Sequence, residues 1–129
     1  MTTERDGRVY VFADRIAEGW AKFLGYAIPH VASGGGGFPF LVRLGVVGLE
    51  QTHWPGETGF AAQPRIALES KLEMDFRLEK LSADDIWAIV ESAWIRYRRV
   101  FSIPEPTLQS KQQMRFFINS CMPSDVIPH

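Results

Sequence analysis

The chain has 129 residues, 14 of them basic and 15 acidic, with an apolar fraction of 46%. That length predicts a single domain, 1–129, with a core of its own, and that apolar content excludes a disordered chain. Near-balanced charge argues against nucleic acid as a partner, because phosphate contacts usually need a basic field.

The N-terminus, MTTERDGR, is charged and has no apolar run behind it. No signal peptide is expected, and no stretch approaches the ~20 apolar residues that span a bilayer, so no membrane association is expected. Residues 8–13, RVYVFA, are β-branched and aromatic and predict a short strand. Asp14 is placed to cap a helix in which Ile16, Trp20, Phe23, Leu24 and Ala27 recur at helical spacing. Gly25 marks its expected end, and Pro29 disfavours continuation past Ile28.

The glycine run Ser33–Gly37 predicts a reversal of the backbone. It invites a phosphate-loop reading, but it leaves a helix for a strand and lacks the Lys and Ser/Thr of a P-loop. Phe38–Glu50 predicts a strand buried on both faces for much of its length, with Gly45 and Gly48 marking a bulge or a close backbone approach. Residues 51–64 read as a polar loop, joining that strand to the clearest pattern in the chain. From Arg65 to Leu81 alternate residues are apolar (Ile66, Leu68, Leu72, Met74, Phe76, Leu78), and those between are mostly ionic. This predicts one long strand with a dry and a wet face, antiparallel to its neighbour.

Leu81-Ser82-Ala83-Asp84-Asp85 resembles a capping box and opens the strongest predicted helix, whose buried stripe is Ile86, Val90, Ala93, Trp94, Tyr97 and Phe101. Pro104 and Pro106 terminate it. The last segment reads in two ways: a helix over 107–119 or a strand over 114–121. Cys121 is alone, so no internal disulfide forms, which fits a reducing, cytoplasmic location.

The expected fold is therefore α+β: an antiparallel sheet of three to four strands, with two helices, or three with the last segment, on one face. The order β-α-β-β-α-(β) matches the ferredoxin-like arrangement. That order speaks to fold and leaves activity open.

Function is less legible. Trp54, beside a proline in a polar loop, is either a core residue or an exposed anchor of the kind enriched at protein interfaces. Arg96, Arg98 and Arg99, with Lys111 and Arg115 in reach, form the main basic concentration, which suits helix C-terminal charges facing solvent or an acidic partner. Glu50, His53 and Glu57 supply groups that bind metal or exchange protons, and His30 and His129 could join them only through folding. Tyr10 and Phe12 alternate as base-stacking aromatics do, but core packing accounts for them as well. Cys121 has no recognisable catalytic partner, and no other nucleophile stands out.

These features favour a non-catalytic protein–protein interaction or assembly module, self-associating as a homo-oligomer or binding another protein, with partner-binding residues Trp54, Arg96, Arg98 and Arg99 and no cofactor or metal. A long strand with open edges motivates that reading. The alternatives are a small enzyme or ligand- or metal-binding domain using the 50–57 loop, and nucleic-acid binding through the 96–99 arginine cluster.

Overall fold

A computed structural model describes residues 2–5, 8–11, 13–54 and 65–122. They form β1 (Thr2–Arg5), β2 (Arg8–Val11), α1 (Ala13–Lys22), a π-helical turn (Phe23–Ala27), α2 (Ile28–Ser33), β3 (Phe40–Val46), β4 (Thr52–Trp54), β5 (Arg65–Ile66), β6 (Leu72–Leu78), α3 (Ala83–Val100) and α4 (Leu108–Cys121). The protein is a small mixed α and β structure.

The strands form two sheets rather than the expected one. The first runs β1-β2-β4-β5, with β2 and β4 parallel and its other neighbours antiparallel. The second is the antiparallel pair β3–β6, in register from Phe40↔Leu78 to Val46↔Leu72. The ferredoxin-like order is therefore not the one formed by the described residues. The predicted long strand is two strands, because the chain changes neighbours between them. Ile66 belongs to β5 beside β4, and Leu72 begins β6 beside β3. Alternation holds over β6, with Met74 and Leu78 buried and Glu73, Asp75 and Arg77 exposed, but Ile66 and Leu68 face solvent. The link between the strands is fixed by its backbone. Ala67 N–H donates to the Thr52 carbonyl (2.9 Å), Leu68 N–H to Val100 (2.8 Å), and Leu49 N–H to Ser70 (2.9 Å).

The first helix also departs from expectation. It starts at Ala13, one residue before the predicted cap, and passes Pro29 to reach Ser33. The π turn at Phe23–Ala27 explains the passage. A proline ring clashes with the carbonyl four residues back in a regular helix, and a widened turn upstream relieves that contact. The glycine run then leaves α2 and enters β3, with Gly35 at φ 105° making the turn.

Helix α3 is the centre of the core and packs against α1, α4 and β6. Its start follows the predicted cap: the Ser82 hydroxyl oxygen accepts from Asp85 N–H (3.1 Å) and its O–H donates to the Asp85 carboxylate (2.7 Å). Every residue of its predicted stripe is buried. The last segment is helix α4, capped by Thr107, which accepts from Ser110 N–H (3.1 Å). Met114 and Ile118 are its buried face. No helix among the described residues is long and apolar enough to cross a membrane.

Candidate functional site

Trp54 and Arg98 belong to one buried assembly, which removes both from the surface. Trp54 is 2% exposed and packs against Tyr97 and Phe101, each with ring centroids 5.4 Å away. Arg98 is 4% exposed. Its guanidinium lies 5.3 Å from the Trp94 ring centroid and 5.8 Å from that of Trp54. Nε and one terminal nitrogen donate to the Pro104 carbonyl at 3.1 and 2.9 Å. Buried charge is tolerated where donors are satisfied and aromatic faces replace water. Arg98 therefore ties the end of α3 to the segment that follows, and it is not one of a row of solvent-facing charges.

Tyr97 lies in the same assembly, its hydroxyl buried without a hydrogen-bond partner among the described residues. Burial pushes the Tyr97 phenol well above its ordinary value of 10.0. Because the folded state resists ionisation, the unfolded state binds fewer protons above pH ~10, and stability falls as pH rises past that point. Tyr97→Phe is expected to be neutral or slightly stabilising at pH 7 and to flatten that alkaline decline. Urea melts between pH 7 and 11 check it; an unchanged alkaline slope in the variant contradicts this assignment.

Arg96 and Arg99 are exposed. Together they line two adjoining clefts, one of about 390 Å³ with Phe76, Ser92, Ile95 and Glu105, the other of about 230 Å³ with Leu68, Glu69, Leu72 and Val100. Arg99 pairs with Glu105 (2.8 Å), and Arg115 pairs with Asp84. Two acids thus share these clefts with the two arginines, so the local charge is mixed rather than basic.

The 50–57 residues do not gather into a cluster. Glu50 is exposed at the turn before β4, and His53 lies within β4, beside Tyr10 at 5.9 Å between ring centroids. His53 Nδ1 is buried without a hydrogen-bond partner among the described residues. Glu57 and His129 lie outside the described residues, and His30 is exposed in α2. Among the described residues no group of three His, Cys, Asp or Glu side chains is placed to hold a metal. Phe12, the second of the aromatic pair, is also outside them, and Cys121 is half-buried at the end of α4.

The feature that sequence reasoning missed is the outer edge of β3. Among the described residues β3 pairs with β6 alone, which leaves its other edge open. Its outward face was expected to be buried. Instead Leu41 is 85% exposed and Val47, just past the strand, 77%. Residues 38–49 contain a single charge, Arg43, and Asp75 of β6 holds it through Nε–Oδ1 at 2.8 Å and Nη2–Oδ2 at 3.3 Å. That hydrogen bond also holds the Asp75 carboxyl below its ordinary range. A shallow depression of about 550 Å³ lies over this face, lined by Leu41, Val42, Arg43, Asp75, Phe76 and Arg77. The other strand of the pair is different in kind: Lys71, Glu73, Asp75, Arg77 and Glu79 line it with charge. Charged side chains are a standard guard against unwanted pairing, and β3 carries just one, Arg43, already paired with Asp75. The sequence holds no signal for it: an apolar run reads alike whether its edge is paired or not, and only topology separates the two.

No family model, no curated protein and no solved structure matches this chain.

Proposed function

We propose that this protein is a non-catalytic protein-interaction and assembly module that accepts a strand along the edge of β3 left unpaired among the described residues, from a second copy or from another protein. The supporting observation is the contrast across one two-stranded sheet. β6 carries ions, while β3 carries an apolar edge whose lone charge is already neutralised by Asp75. An added strand satisfies the free backbone groups of such an edge, and side chains at alternate positions select the partner. Leu41 and Val47 are those positions here. Arg96 and Arg99, beside the far strand, form a secondary mixed-charge rim suited to orientation rather than affinity. The lone Cys121 supports a reducing, cytoplasmic setting for this module.

Leu41→Lys tests the reading. The side chain is exposed, so folding stability is expected to change by no more than about 0.5 kcal/mol. Association is expected to drop sharply, since a lysine on an edge strand opposes pairing. Sedimentation across a concentration series should give a mass above the 14.6 kDa of one chain for the wild type and a monomer for the variant. Identical profiles for the two proteins would count against the β3 edge.

A further inference from the structure

We infer that the strand added to β3 is β3 of a second copy, antiparallel about a two-fold axis at Leu44; this deepens the reading above and rests on it. A two-fold related antiparallel pair sets residue i opposite residue j with a constant sum, and opposed residues share a face of the sheet. Residues 41, 43, 45 and 47 are all exposed, on the outward face. Few registers are then available, and the side chains discriminate among them.

An axis at Val42 sets Leu41 against Arg43 of the other copy and leaves Val47 beyond the strand. An axis at Arg43 opposes two like charges, which is unfavourable directly across a ladder. An axis at Gly45 shortens the overlap, because Gly48 at φ 73° takes the chain out of extended geometry. An axis at Leu44 sets Leu41 against Val47, the two most exposed apolar side chains of this edge, and does so twice. It also sets Arg43 against Gly45, whose missing side chain leaves room for the Arg43–Asp75 pair. On the inward face Val42 meets Val46 and Leu44 meets itself, all extending the existing core. The product is a four-stranded sheet, β6-β3-β3-β6, whose outer strands are the charged ones and whose apolar edges are consumed.

Directly opposed positions in an antiparallel pair lie within the Cα separation that a disulfide accepts. Positions 41 and 47 of one copy are six residues apart along an extended chain, on the order of 20 Å, and cannot bridge to each other. In a Cys121→Ser background, Leu41→Cys/Val47→Cys is expected to form a covalent dimer on mild oxidation, while Arg43→Cys alone is not. Leu41→Lys is expected to raise the dimer dissociation constant by about tenfold or more, because each substitution acts twice across the axis. Cross-linking by Arg43→Cys alone, or a wild-type dimer whose double variant never cross-links, overturns the Leu44 register but leaves the assembly reading standing. A wild type that sediments as one chain at every concentration overturns both.

Discussion

Replacing Trp54 by alanine is expected to remove about 3–5 kcal/mol of stability, the range for emptying a buried tryptophan site. The side chain is almost wholly enclosed, and three groups depend on it: Tyr97, Phe101 and the Arg98 guanidinium. Its loss leaves a void and takes the Trp54 ring face from a buried cation. Against a typical total of 5–15 kcal/mol, that is a large share of what holds a domain folded. Trp54→Phe keeps a ring in the site and is expected to cost less than half as much. Urea unfolding followed by far-ultraviolet circular dichroism measures both; the midpoint should fall at unchanged slope. A cost below about 1 kcal/mol for the alanine variant would show that the ring is not part of the core.

Gly45→Val is expected to cost about 2–3 kcal/mol and to act on the β3–β6 pair. A Cβ at position 45 falls 2.5 Å from the Leu72 carbonyl oxygen, which is backbone in a hydrogen-bonded strand and has nowhere to retreat. The β-branch adds further atoms to that overlap. The strand pair must separate at its Val46↔Leu72 end, where β6 begins. Amide exchange should therefore accelerate in β3 and β6 and much less in α3, and self-association should fall with the edge. Wild-type stability in this variant would refute the close approach.

The same glycine shows how far the sequence could be read. A glycine inside an apolar strand pattern signals a bulge or a near backbone, and the Leu72 carbonyl is that backbone. The Ser82 cap, the α3 stripe and the alternation of Leu72–Leu78 were legible for a similar reason: each depends on neighbours within one element. What was hidden depends on partners. A period of two says that a segment is extended, but not which strand lies beside it, so the change of sheet between Ile66 and Leu72 left no trace. Strand β1 is polar throughout, TTER, and becomes a strand by pairing with β2. The helix across Pro29 needed a widened turn that no residue pattern announces.

The candidate site divides along the same line. Arg98 stands beside Arg96 and Arg99 in sequence. Helical geometry separates them: Arg98 follows Trp94 by four residues and so falls on the buried stripe, whereas Arg96 and Arg99 face out. That four-residue spacing is legible in the sequence. The open edge had no such signal, because an apolar strand reads alike whether a second layer covers it or not.

The pinned link at Ala67–Ser70 has a mechanical corollary. Its bonds run to β4, to the last residue of α3 and to the turn leaving β3, so one short segment is tied to both sheets and to α3. Under the proposed docking, the bonded path from β3 runs from Leu49 to Ser70, and from Leu68 to Val100 at the end of α3, where Arg98 holds the Pro104 carbonyl. On that proposal, a neighbour at the sheet edge and the packing of α3 are linked through these backbone hydrogen bonds.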